Sequence, residues 1–216
     1  MRTADTNRRT RDPQPRQAGF SMIEVLITVF VIAIGLLGIA SVQFISKRSN
    51  FEAVQRTTAT LLANDIIERM RANPGMLLEY AGDAGSPIAP LGGPTATRTQ
   101  PAIDCTASAC SPFDLSQYDL WEWETALNGL SEQVTADGSS TGGLHSPTAC
   151  ITTTGAAGVV DRSARYDVAI VWRGGTQLAD PDTSDCGRGS GKYNGEDGSA
   201  DTHRRVLIVS TFISAS

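Results

Sequence analysis

From Val25 to Ser46 the chain carries no charge. A helix of about 22 residues rises roughly 33 Å, enough to cross the hydrocarbon core of a bilayer. One carboxylate, Glu24, stands at the head of this run. An acid at the centre of a membrane helix costs about 2.5–3.5 kcal/mol on insertion scales, so a chain that keeps one there has a use for it. Ahead of the run, residues 1–19 hold five arginines (Arg2, Arg8, Arg9, Arg11 and Arg16) against Asp5 and Asp12, a net +3 that leaves the remainder at −8. A basic tip before an apolar span places the N-terminus in the cytoplasm and the rest across the membrane, in the periplasm of a bacterium. Lys47, Arg48 and Arg56 soften that asymmetry. The overall net charge of −5 argues against a nucleic-acid partner. Cys105, Cys110, Cys150 and Cys186 all follow the span, where disulfides persist.

Residues 1–18 are polar and contain Pro13 and Pro15, as expected of a leader. From Phe20 the helical pattern continues well beyond membrane length. Phe51, Val54, Thr58, Leu62, Ile66 and Met70 recur at three or four residues, with Leu61 and Ile67 widening the stripe. No proline interrupts before Asn73-Pro74-Gly75, a strong stop. One helix of about 52 residues, near 78 Å long, is the simplest reading. Its first half (20–46) is apolar all round, and its second half (47–73) is amphipathic and should pack on the C-terminal region (74–216). Residues 74–104 read as a long loop. Ser111-Pro112-Phe113-Asp114 reads as a helix start, with Ser116, Leu120, Trp123, Leu127 and Leu130 on one face and Asn128-Gly129 at the end. Residues 131–148 are loop-like. Cys150–Thr154 is a weak strand. Tyr166–Arg173 alternates, with Tyr166, Val168, Ile170 and Trp172 on one face. Arg205–Ile213 is apolar on both faces and so reads as central or helix-covered. The expected class is α+β: a long N-terminal helix whose C-terminal half packs on a small antiparallel sheet.

Gly19-Phe20-Ser21-Met22-Ile23-Glu24-Val25-Leu26 resembles the prepilin leader of type IV pilins and type II secretion pseudopilins. The resemblance implies that a prepilin peptidase cuts between Gly19 and Phe20 and methylates the new Phe20 amine. It also gives Glu24 a use. Glu24 of one subunit would meet the cationic Phe20 amine of a neighbour in a staggered filament, relieving two buried charges and setting register. Ile34–Gln43 resembles the "GLLG…Q" stretch of PilV-type minor pilins. So do Cys105-x4-Cys110-Ser111-Pro112, the Tyr118-Asp119-Leu120 and Trp123 that follow, and Tyr166–Trp172. These matches imply a minor pilin that primes pilus assembly with other minor pilins and the major pilin, anchored in inner-membrane lipid and then carried to the cell surface. No catalytic residue and no cofactor are implied. A type II secretion pseudopilin is the alternative. One departure is that Ser41 stands near where major pilins often carry a helix-loosening proline, leaving Gly35 and Gly38 to serve instead.

Other patterns are weaker. Gly38-Ile39-Ala40 has the form that signal peptidase prefers, but the helical pattern runs through it. The cysteines lack any CxxC, and neither His145 nor His203 lies near a Cys pair, so disulfides are favoured over zinc. The resemblance treats Cys105–Cys110 as a local loop. Cys150–Cys186 would then tie the Gly/Asp/Ser-rich 174–204 segment to the sheet. Gly138–Gly142 fits the hydrolase G-x-S-x-G pattern but lacks the flanking strand and helix; a membrane-anchored hydrolase using Ser140 and a His is the remote rival. Gly187–Lys192 lacks the first glycine and the Ser/Thr of a phosphate loop. Asp180, Asp182 and Asp185 faintly suggest calcium, but Gly191 stands where an EF-hand needs Glu. Trp121, Trp123 and Trp172 are expected in the core.

Overall fold

A computed structural model describes residues 19–83, 86–93, 98–132, 142–154 and 163–214. The leader up to residue 18 and Ser140 of the G-x-S-x-G pattern lie outside them. The chain divides into two units, Met1–Ser46 and Lys47–Ser216. α1 spans Met22–Ala72. It ends where Pro74 removes a backbone donor, and a 3-10 turn (Pro74–Met76) and a short helix, α2 (Leu77–Ala81), follow. β1 (Gly82–Asp83) and β2 (Ser86–Pro87) pair antiparallel. The segment read as one long loop therefore carries local structure. The reason is that Leu77, Tyr80 and Ala81 are fully buried, so α2 is held by tertiary packing rather than by its own length.

α3 (Pro112–Leu127) begins as its sequence dictates. The Ser111 hydroxyl accepts from the Asp114 N–H, and Pro112 takes the first position. Ser116, Leu120, Trp123 and Leu127 are buried on one face. Leu130 lies beyond the helix end and is only half-buried. At that end Gly129 (φ 68°) and Gly143 (φ 74°) bring two backbones together; a Cβ on Gly129 would stand 2.0 Å from the Gly142 carbonyl oxygen.

β3 (Thr148–Thr154), β4 (Ala164–Arg173) and β5 (Arg204–Ile213) form an antiparallel sheet in the order β3-β4-β5. β5 is thus an edge strand among the described residues, not the central one. Its apolarity on both faces has a different cause. Leu207 and Val209 pack with Tyr166, Val168, Ile170 and Trp172 into the main core, which α1 and α3 also enter. Val206 and Ile208 pack on the opposite face with Cys150, Ala169, Val171, Cys186 and Tyr193. The 174–204 segment provides that second cover. The result is an α+β, pilin-like architecture: a long N-terminal helix followed by a small antiparallel sheet.

The buried stripe of α1 is shifted from the expected one. Gln55, Ala59, Ala63, Ile66, Ile67 and Met70 are buried, while Leu61 is 65% exposed and Val54 59% exposed. Phe51 is exposed as well, and Thr58 and Leu62 are half-buried. Ranking positions by apolar size missed the alanines, whose small side chains let a helix lie close against a packed core. Trp121 is likewise half-buried, its ring 5.4 Å from that of Tyr118 and tilted by 58°, while Trp123 and Trp172 are core residues.

Candidate functional site

Among the described residues of the first unit every large apolar side chain is exposed, Phe20 at 85%. α1 is apolar enough there to cross a membrane by length and composition. Two polar side chains inside the run return to the helix's own carbonyls: the Thr28 hydroxyl donates to Val25 O at 2.9 Å and the Ser41 hydroxyl to Leu37 O at 2.9 Å. This self-satisfaction is what a helix surrounded by hydrocarbon requires. The helix runs unbroken through Gly35, Gly38 and Ser41. Glu24 sits in its first turn, its N–H bonded to Ser21 O at 3.0 Å and its side chain exposed. Gly19 precedes the helix, and a Cβ placed there would meet nothing within 4 Å.

In the second unit the cysteines pair as Cys105–Cys110 and Cys150–Cys186, with Cα separations of 5.5 and 5.9 Å. The second bond fastens the 174–204 segment to β3. The arginine beside it was not singled out from the sequence. Arg204 is fully buried, and its guanidinium donates to the carbonyls of Pro181, Ser184 and Cys186 and to Asp180 Oδ1 at 2.8 Å. The carboxylates that suggested calcium are occupied in the same way. Arg188 reaches Asp180 at 3.2 Å, Asp182 at 2.8 Å and Asp185 at 2.9 Å. Two arginines supply the positive charge this acidic turn needs. Gly189, in the segment that suggested a phosphate loop, donates its N–H to Asp201 at 2.8 Å, and Lys192 donates to Thr148 Oγ1 at 3.1 Å.

Two further networks hold the helices and loops to one another. Arg69 of α1 reaches Asp119 at 3.0 Å and Glu122 at 2.6 Å, both on α3. Burial works against its charge, but these acids and Asp65 outweigh that and raise its pKa above the usual arginine value. Asp119 also accepts from the Tyr80 hydroxyl at 2.5 Å; burial and that carboxylate push the Tyr80 pKa up. Glu124, fully buried on α3, accepts from the Gly92 N–H at 2.8 Å and the Arg98 N–H at 3.1 Å, tying both residues to α3. On the disulfide side, burial raises the Tyr193 pKa to about 12; its hydroxyl donates toward Ser146 O and Thr148 Oγ1. His203 contacts Gly174 O at 2.8 Å through Nδ1, and His145 donates its backbone N–H to Gln55, so each is tied into structure. None of these residues was marked by spacing in the sequence, because their partners lie 20 to 90 positions away.

The fold and the exposed apolar segment define an α+β protein with a long N-terminal helix, apolar enough in its first half to cross a membrane, and a disulfide-stapled head. Two family models match the sequence: the prokaryotic N-terminal methylation motif over residues 14–40, and type IV pilin Tt1218 over residues 41–121. No curated protein and no solved structure matches the chain. The chain is a type IV pilin-like protein, a pilin or pseudopilin.

Proposed function

We propose that this chain is a minor pilin of a type IV pilus, of the PilV kind. A prepilin peptidase removes residues 1–19 and methylates Phe20. Residues 20–46 then hold the subunit in the inner membrane and later in the filament core, 47–73 carry the amphipathic half of the helix, and 74–216 form the periplasmic head. The protein acts by assembly with other minor pilins and the major pilin, not by catalysis. The observation that carries this reading is the methylation-motif match across Gly19, Phe20 and Glu24, followed directly by the type IV pilin match. Glu24 lies in the first turn of α1, four residues after Phe20, so a stagger of about one helical turn between neighbouring subunits would bring the new amine of one to this acid of the next.

The deciding measurement is the mass of the N-terminal peptide of the mature protein from membranes. A peptide beginning at methylated Phe20 is expected. A start at Ser41 would mean ordinary secretion and end the filament reading. Deleting the gene should abolish pili and leave type II secretion intact; the reverse pattern would make the protein a pseudopilin.

A further inference from the structure

In the second unit, Ser49, Glu52, Ala53 and Arg56 of α1 line a groove of roughly 620 Å³ with Trp172, Arg205 and the 178–181 segment. Trp172 and Arg205 are cross-strand partners and so lie on the same sheet face. The acid in the groove is already committed. Glu52 accepts from the Gly175 N–H at 2.5 Å and lies 3.8 Å from the Arg205 guanidinium. Arg205 also donates to Thr176 O at 2.7 Å. The positive charge is in surplus. The Arg56 side chain has no carboxylate partner among the described residues, and neither does Arg48, which lies beside Gly175. Trp172 is 4% exposed, and its indole N–H has no acceptor among the described residues. A buried donor without an acceptor carries a desolvation penalty that a bound oxygen would relieve.

A groove with spare guanidinium charge and an orphan indole donor suits a singly charged group with several oxygens. A phosphodiester meets that description, since arginine binds phosphate oxygens in a fork. The place of these residues in the chain selects the source. Ser49 comes three residues after the last position of the uncharged run, and Arg56 ten after it. On a straight helix Ser49 stands about 5 Å and Arg56 about 15 Å beyond that run, and helical side chains lean back toward the N-terminus, so a long arginine there reaches back toward the headgroups. From this we infer that the groove holds the headgroup phosphate of an anionic phospholipid. The inference rests on the apolar half being membrane-embedded, as in the proposed function. Headgroup binding would hold a waiting subunit in the bilayer at a set depth until it leaves for the filament.

The test uses the full chain purified in dodecylmaltoside and native mass spectrometry with added phosphatidylglycerol or phosphatidylcholine. One retained phosphatidylglycerol per chain is expected, with phosphatidylcholine held more weakly. Arg56→Gln should weaken retention about fivefold, the size of one arginine's attraction to an anionic surface. Trp172→Phe, which keeps the ring and removes only the N–H, should weaken it too, and Arg71→Gln should leave it unchanged. Retention by the Arg56 and Trp172 variants equal to that of the unaltered chain, or equal binding of the two lipids, would overturn the inference. Displacement by inorganic phosphate at matching concentration would assign the groove to free anions, and displacement by an acidic peptide to a protein partner; either would overturn it. The proposed function fails on a different result, an N-terminus other than methylated Phe20, so the two can be told apart.

Discussion

The two halves of α1 differ in whether a large apolar side chain is ever buried. Before Ser46, Val, Ile, Leu and Phe cover the helix all round and none of them is buried. After Lys47, the fully buried positions include Ala59 and Ala63, while Leu61 and Val54 stand in solvent. Size alone therefore does not mark the buried face: Ala59 and Ala63 share it with Ile66, Ile67 and Met70, while Leu61 and Val54, also large and apolar, face away from the head. The first half buries no face among the described residues, and its bulk is spread all round, as in a helix suited to apolar surroundings. In the second half the partner is a preformed core at close-packed density, where one extra methylene has nowhere to go.

The contrast can be broken most sharply at Glu24. Glu24→Ala should insert in the membrane and be cleaved normally, yet fall to background in sheared filaments on immunoblotting. Wild-type amounts there would end the pairing argument. Next in size is the core of the head. Trp123 is fully buried and donates its indole N–H to Leu62 O at 2.8 Å, so Trp123→Ala should lower unfolding free energy by about 3–5 kcal/mol in urea titration. Replacing Cys150 and Cys186 together by Ser should cost about 2–4 kcal/mol by the same measurement, since the 36-residue separation frees a long loop in the unfolded chain. The helix comparison itself is sharpened by a pair of changes. Ala63→Leu should destabilise by about 1–3 kcal/mol through overpacking, whereas Leu61→Ala should stay within about 0.5 kcal/mol. An inverted order would mean that the buried stripe lies where the large residues are.

The smallest effect is invisible at neutral pH. Tyr193 titrates near 12 in the folded protein, above the ordinary tyrosine value, because burial disfavours the phenolate. A raised folded pKa stabilises the protein fully below the unfolded value, about 10, and that contribution is lost as pH rises toward 12. The urea midpoint should therefore fall above pH 10, and less steeply in Tyr193→Phe. A parallel decline in the two proteins would assign the loss to other groups.

Much of the chain was legible beforehand because its signals are local. Pro74 ends α1, Ser111-Pro112 opens α3, and the alternation of Tyr166 to Trp172 makes β4 a strand, each through backbone rules that act over a few residues. The apolar run headed by Glu24 was readable for the same reason. β5 was misplaced because its apolar faces give no hint of which neighbour covers each. The acidic turn at 180–185 suggested a metal because its answering charges, Arg188 and the buried Arg204, come from outside the turn.

The sequence by itself determined the long helix, its apolar first half, the strand-forming segments and the processing motif, because periodicity, proline and charge act on the chain locally. The tertiary structure decided which face of α1 is buried, that β5 is an edge among the described residues, how Arg204 and Arg188 fill the acidic turn, and that Trp172, a lining residue of the groove, is buried with an unanswered donor. Those depend on which distant segments meet, and close packing and buried charge are settled only when they do.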